Sequence, residues 1–309
     1  MKTPKLFCIL VFFYSLAFVA CSNEDEGDRD KGNKDYIVFN DANFKAYLLQ
    51  ENLITIDPET GKWRDTGRPI DANLDGEISQ AEAEAVKYIN CASEKIVTLS
   101  DLKNFPHLQY LDCQDNRFTA LTPLDLSVCT ELESLNCSDN NLNSIDISNN
   151  KALKYLRCSN GGLTKLNVSQ NTYLLKLDCN NNPLNELNLK ANTRLSILDC
   201  SETGLSALSV KNSPALEQLF CYKNQLESLD LSSNKNLNIL QCHANHLLQL
   251  DLSKTKVFIQ PTTLTSKIGM QSDPNEEGYS ISVIMTETQK NVFRNYAADG
   301  GNSGVTIVV

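Results

Sequence analysis

Between Asp71 and Glu82, oxygen donors recur over twelve residues at a spacing that suits a hard divalent cation. Asp71, Asn73 and Asp75 offer side-chain oxygens, and Glu77 offers its backbone carbonyl. Ser79 stands where a ligand acts through water, and Glu82 can bind through both carboxylate oxygens. Gly76 permits the sharp turn such a loop needs, and Ile78 packs beneath it. An all-oxygen set favours calcium, whereas magnesium demands a tighter octahedron. The alternative is an acidic turn that holds no metal.

Two further arrangements suggest catalysis and do not sustain it. Asp65-Thr66-Gly67 matches the aspartic-protease tripeptide, but the chain has no second copy. His243 and His246 form an H-x-x-H pair outside any expected helix, in a chain with three histidines. No Gly-rich phosphate loop, G-x-S-x-G elbow or H-E-x-x-H motif is present. The expectation is a protein that is not an enzyme.

The cysteines carry architecture rather than chemistry. Cys137, Cys158, Cys179, Cys200, Cys221 and Cys242 lie 21 residues apart, Cys113 precedes Cys137 by 24, and Cys91 precedes Cys113 by 22. Each ends the phrase L-x-x-L-x-C, as in Leu153-Lys154-Tyr155-Leu156-Arg157-Cys158. Stacked at about 4.8 Å, their side chains point in parallel, which denies a disulfide its dihedral. A line of sulfurs among apolar neighbours does not converge on a metal either. The reading is a ladder of buried free thiols acting as small hydrophobes.

The full unit, L-x-x-L-x-C-x-x-N-x-L-x-x-L-x-L-x-x-N-x-x, resembles the leucine-rich repeat, and eight rungs match across residues 86 to 258. The resemblance predicts an α/β solenoid, a leucine-rich-repeat horseshoe or right-handed coil of parallel strands with N- and C-terminal caps. One coil cannot bury its own leucines, but stacked coils bury each other's. Asparagines at two turn positions, such as Asn182 and Asn192, are placed to satisfy backbone groups that a tight coil leaves open. Cys129 stands in the second asparagine column. Thr122-Pro123-Leu124 accounts for the 24-residue step as an insertion bulging from the second rung. Cysteine ladders in 21-residue repeats resemble internalin-type surface proteins, over somewhat more than half the chain.

Open solenoid ends require caps. Residues 37–85 are expected to form a helical N-terminal cap containing the calcium loop at 71–82. Its main helix is predicted from about Asn43 to Asn52, capped by Asn40 or Asp41, with a second helix from Ala81 to Val86. The loop resembles an EF-hand. Because Gly61, Gly67 and Pro69 exclude an entering helix, it is closer to a dockerin half-site, of which only one is present. Residues 259–309 predict a small β-α-β cap: a strand from Tyr279 to Met285, a helix opened by Thr286 and Gln289 that carries Val292, Phe293 and Tyr296 on one face, and a strand from Val305 to Val309. A separate binding module is the alternative there.

Lys2 and Lys5 precede an apolar run from about Leu6 to Val19 that ends in Phe18-Val19-Ala20-Cys21. The run is too short to span a bilayer and has the flanks of a signal sequence. Its end resembles the lipobox of bacterial lipoproteins, which implies cleavage after residue 20 and lipid on Cys21. An ordinary signal peptide cut near Ala20 is the alternative. Residues 21–36 read as a disordered acidic tether, similar to the surface-export signal of Bacteroidetes lipoproteins. These resemblances imply an outer-membrane lipoprotein exposed at the cell surface, touching the membrane through its anchor only. The formal charge is −10, which argues against nucleic acid and anionic membrane surfaces as partners.

The predicted binding surface is the concave sheet. Its outward positions include Tyr88, Tyr110, Tyr155, Arg157, Ile197, Phe220, Tyr222, Ile239 and His243. Phe220 and Tyr222 beside Ile197 and Ile239 suggest an apolar binding cluster. Strand propensity alone is the alternative origin of those aromatics. The expected function is cell-surface binding or adhesion with a protein or glycan ligand, and the alternative is a structural envelope spacer.

Overall fold

A computed structural model describes residues 35–57, 62–116, 118, 124–256, 281–284, 286 and 305–308. The signal segment, Cys21 and the tether to residue 34 lie outside the described residues, as does the expected C-terminal helix beyond Thr286. Asp35 and Tyr36 do not continue the expected tether. Tyr36 bridges Ser79, and the Asp35 carbonyl accepts the Gln80 N–H at 3.0 Å.

The solenoid is built on an eight-stranded parallel sheet. Its strands are β3 (Tyr88–Asn90), β4 (Tyr110–Asp112), β5 (Ser134–Asn136), β6 (Tyr155–Arg157), β7 (Lys176–Asp178), β8 (Ile197–Asp199), β9 (Gln218–Phe220) and β10 (Ile239–Gln241). They stack in chain order with every middle residue in register, from Ile89 on Leu111 to Leu219 on Leu240. These middle residues are buried, which forces the flanking side chains outward. The fold is a leucine-rich-repeat solenoid.

Each column of the repeat has one packing task. The eight ladder cysteines and Cys129 are buried free thiols, with Cys179 Sγ set 3.5 Å from the Asp199 carbonyl of the next rung. Burial pushes the Cys129 and Cys137 thiols up to about 12, and pushes up Cys91, Cys113, Cys158, Cys179, Cys200 and Cys221 as well. They stay protonated well above neutral pH for that reason. The first asparagine column ties coil to coil. The Asn182 amide donates to the Cys158 and Cys179 carbonyls at 2.9 Å each, while its oxygen accepts the Gly161 and Leu163 N–H groups. In the second column Asn171 donates to the Ile147 and Asn150 carbonyls. Cys129, in that column, faces the Leu102 and Phe105 carbonyls instead.

Leu124 corrects one expectation. It does not bulge, because it is buried in the leucine column that Leu166 occupies two coils later. Thr122 and Pro123 lie outside the described residues.

The N-terminal cap is not purely helical. Helix α1 runs from Ala42 to Leu48, shorter than predicted, with Asp41 as its N-cap. A two-stranded antiparallel hairpin follows, β1 (Asn52–Ile56) and β2 (Trp63–Pro69). The β-branched run Ile54-Thr55-Ile56 ends the helical pattern early. Gly67, at φ +68°, lies in the irregular stretch of this pairing. Helix α2 spans Gln80–Glu84, and Ser100–Asn104 form a 3-10 turn.

At the other end, β11 (Gln249–Asp251), β12 (Ile281–Ile284) and β13 (Val305–Val308) form a separate parallel sheet. Strand β11 belongs to the second half of the last coil. This sheet therefore grows from the other side of the coil and not from β10.

Candidate binding face and calcium loop

The register sorts the outward side chains of the sheet into rows. One row reads Tyr88, Tyr110, Ser134, Tyr155, Lys176, Ile197, Gln218 and Ile239. The next reads Asn90, Asp112, Asn136, Arg157, Asp178, Asp199, Phe220 and Gln241. The apolar cluster expected from Ile197, Phe220, Tyr222 and Ile239 is therefore divided. Gln218 stands between Ile197 and Ile239, and Phe220 sits between Asp199 and Gln241. Tyr222 instead stacks on His243, with ring centroids 4.8 Å apart and planes 8° from parallel.

The denser aromatic group is at the opposite end and includes a residue the sequence reading missed. Tyr88 and Tyr110 stack at 4.3 Å with planes 7° apart, and Trp63 of the hairpin packs against them at 5.3 and 6.2 Å. The signal was available. Trp63 is the sole tryptophan and follows a β-branched run, a hairpin pattern passed over in favour of a helical cap. Burial pushes the Tyr110 hydroxyl up to about 12. Beyond Tyr110, the face opens into a depression of about 240 Å³ lined by Tyr110, Asp112, Ser134, Asn136, Tyr155, Arg157 and Lys176.

Around it the acids are already engaged. Asp112 accepts the Gln114 N–H and the Asn136 amide, and Asp178 accepts Ser159 Oγ at 2.6 Å and the Asn180 amide at 2.7 Å. Asp199 accepts both the N–H and the hydroxyl of Ser201. Burial pushes the Asp199 carboxyl above its usual range against those hydrogen bonds, and Asp178 on the next strand adds to the push.

The loop from Asp71 to Glu82 is curled around its own carboxylates. Asp71 accepts the Asp75 and Gly76 N–H groups, Asn73 accepts Asp75 N–H, and Asp75 accepts Glu77 N–H. Gly76 holds φ +80°, the left-handed conformation its position requires. The Ile78 carbonyl accepts Ile37 N–H, and the Ile78 side chain is buried beneath the loop. Ser79 and Glu82 form a capping box on α2, while the other Glu82 oxygen takes Ala72 N–H at 2.9 Å. Burial pushes Glu82 up, but hydrogen bonds from Ser79, Ala72 and Asn73 hold it below the usual range. Among the described residues, no group of three His, Cys, Asp or Glu side chains gathers at metal-binding distance. The donor chemistry and the turn fit calcium. Glu82, however, is turned onto backbone N–H groups and would have to re-aim.

The other motifs are not brought together as a catalytic site. Asp65 accepts Gly67 N–H at 2.7 Å and the Asn52 amide, and among the described residues no second carboxylate hydrogen-bonds it. His246 is exposed, whereas His243 lies half-buried in the Tyr222 stack.

No family model matches the sequence, and no curated protein matches it. Solved structures do. An internalin from Listeria monocytogenes (inlF) superposes with a TM-score of 0.55 at 17% identity, covering 88% of this chain and 75% of that one. Internalin C2 of the same organism gives a TM-score of 0.52 at 21% identity, over 60% of this chain and 85% of that one. The functional domain of InlJ from Listeria monocytogenes, which includes a cysteine ladder, gives 0.47 at 26% identity, over 67% of this chain. The chain spans 51% of that domain's length. At these identities the two superpositions above 0.5 establish the fold alone.

Proposed function

We propose that this chain is a surface-exposed, lipid-anchored binding protein that recognises a protein or glycan through the outward face of its eight-stranded sheet. The observation that carries the reading is the division of labour along each strand. Middle residues and cysteines fill the core, so the flanking side chains face outward. Those rows nevertheless carry Tyr88, Tyr110 and Tyr155, with Trp63 brought in from the hairpin. Tyr155 is 46% exposed. Rigid aromatic anchors on a preformed surface are what binding sites favour. The test is a combined protein and glycan array probed with the native chain and with Tyr88→Ala, Tyr155→Ala, Arg157→Ala and Tyr222→Ala combined. The quadruple variant should keep the parallel sheet by circular dichroism and lose roughly 100-fold in affinity for whatever the native chain retains. Equal affinity of both proteins for every retained ligand would refute the reading.

The anchor belongs to the same proposal. Acylation of Cys21 would hold the protein at the outer membrane, since several acyl chains give a stable anchor where one is marginal. Cys21→Ser should release the protein in soluble or uncleaved form. Partition of that variant with membranes at the native level would rule the anchor out.

Calcium is proposed as a structural ion, held by Asp71, Asn73, Asp75, the Glu77 carbonyl, Ser79 and Glu82. When bound it would neutralise the loop's acids and fix the turn between the hairpin and α2. A ligand that binds only the folded state stabilises it by about 2.7 kcal/mol at a hundredfold excess over its dissociation constant. Calcium should therefore raise the melting temperature, chelator should lower it, and Glu82→Ala should remove the difference. Identical melting curves with calcium and with chelator would leave only an acidic turn.

A further inference from the structure

The aromatic row is interrupted at one position, and the interruption has the dimensions of a site. Tyr88 covers one face of Tyr110, so the other face looks along the row toward β5. There the residue is Ser134, and Tyr155 follows on β6. A tyrosine at position 134 would have continued the stack. Serine leaves a slot one rung wide between two tyrosines.

Two rungs separate corresponding atoms by about 9.6 Å, and carbon contacts of about 3.5–4 Å on each side leave roughly 2 Å between the contact planes. A flat aromatic ring has no thickness at its nuclei and would sit loosely there. A puckered saturated ring with an axial substituent takes up more of the gap than a flat one. The depression of about 240 Å³ is below the size of a whole small-molecule pocket, and so suits one ring of a longer chain.

The charge at the slot defines the ring further. Arg157 and Lys176 line it, and neither forms an ion pair among the described residues. Asp112 lines the same depression, and Asp178 follows Arg157 on the next strand. Both Asp112 oxygens are engaged, by Gln114 and Asn136, and one Asp178 oxygen takes both Ser159 and Asn180. Two uncommitted cations on a chain of net charge −10 select a carboxylate, which a guanidinium binds through two parallel hydrogen bonds.

We infer that the slot over Ser134 seats one carboxylate-bearing pyranose ring, a hexuronate unit of an acidic glycan, between Tyr110 and Tyr155, with its carboxylate on Arg157 and Lys176. The inference rests on the sheet being the binding face and names the ligand class of that face.

The experiment titrates the native chain calorimetrically with galacturonate, glucuronate and mannuronate trimers and with their carboxyl-reduced neutral counterparts. At least one acidic trimer should bind, tenfold or more tighter than its neutral form. Ser134→Tyr, which closes the slot, should lose tenfold or more while keeping the native melting temperature. Ser134→Ala should bind as the native chain does. Arg157→Gln should erase the preference for acid over neutral. Failure of every acidic trimer to bind, equal binding of neutral and acidic forms, or full binding by Ser134→Tyr would each overturn the inference. If Ser134→Tyr leaves some other ligand unaffected while Tyr222→Ala abolishes it, the slot falls and the binding face stands. If neither variant affects any ligand, the binding face falls as well.

Discussion

Raising the pH from 8 to 10 is expected to unfold the repeat. Nine buried free thiols lie in its core, and burial pushes the titration of Cys91, Cys113, Cys129, Cys137, Cys158, Cys179, Cys200 and Cys221 upward, to about 12 at Cys129 and Cys137. An unfolded cysteine titrates near 8.5. Above that value the unfolded chain releases protons that the folded chain retains, so stability is full below about pH 8 and falls as pH rises. Each thiol contributes a slope of about 1.4 kcal/mol per pH unit until its folded pKa is reached. At pH 10 that is about 2 kcal/mol per thiol and about 16 kcal/mol for those eight, at or above the whole stability of a typical domain. Circular dichroism along a pH titration should show cooperative loss of the sheet at about pH 9 to 10, and thiol reagents should react only as the sheet is lost. Replacing Cys158, Cys179 and Cys200 by Ala should flatten the pH slope by about 4 kcal/mol per unit, even though each cavity lowers stability at neutral pH. Cys179→Asp, which places a permanent charge where the thiolate would form, should cost about 3–5 kcal/mol at pH 7. A melting temperature that is the same at pH 8 and pH 10 would show that the ladder's protonation has no part in the fold.

The ladder also shows how much the sequence could disclose. A period of 21 residues with one cysteine per turn admits a single packing solution, so the coil and the direction of every strand side chain follow from spacing alone. The rows on the outer face needed register as well. That Gln218 parts Ile197 from Ile239 is a fact of neighbouring strands, visible only once each strand is aligned to the next. Trp63 was harder still. It reaches Tyr88 across 25 residues of chain through a hairpin outside the repeat, and no periodic signal links the two. The loop from Asp71 to Glu82 shows oxygen donors in the order the proposed calcium site needs. The capping box that competes for Glu82 is a local contact between Ser79 and α2, legible in the sequence as S-x-x-E but assigned there to metal.

Asp41→Ala is expected to loosen the N-terminal cap on the first coil while leaving the central coils intact. The Asp41 carboxylate is buried and accepts four backbone N–H groups. Asn43 and Phe44 are the open donors at the start of α1, and one carboxylate oxygen serves both. The other oxygen takes Val97 at 2.7 Å and Thr98 at 3.2 Å, on the first coil. One side chain thus caps the helix and fastens it to the repeat. Asp101 makes the reciprocal link, accepting the backbone and side-chain N–H groups of Asn40 at 2.8 Å each. An N-cap alone is worth about 1 kcal/mol, and each buried donor left without an acceptor costs about 1–3 kcal/mol, so the loss is about 3 kcal/mol or more. Asp41→Asn retains one oxygen acceptor and should cost about half as much. Because each coil contacts only its neighbours, the damage should remain at that end. Hydrogen exchange should quicken at Ile89 and Leu111, while the amides of Cys179, Cys200 and Cys221 keep their protection. Uniform acceleration along the whole solenoid would show that the chain unfolds as one unit and that the seam at Asp41 is not a separate point of failure.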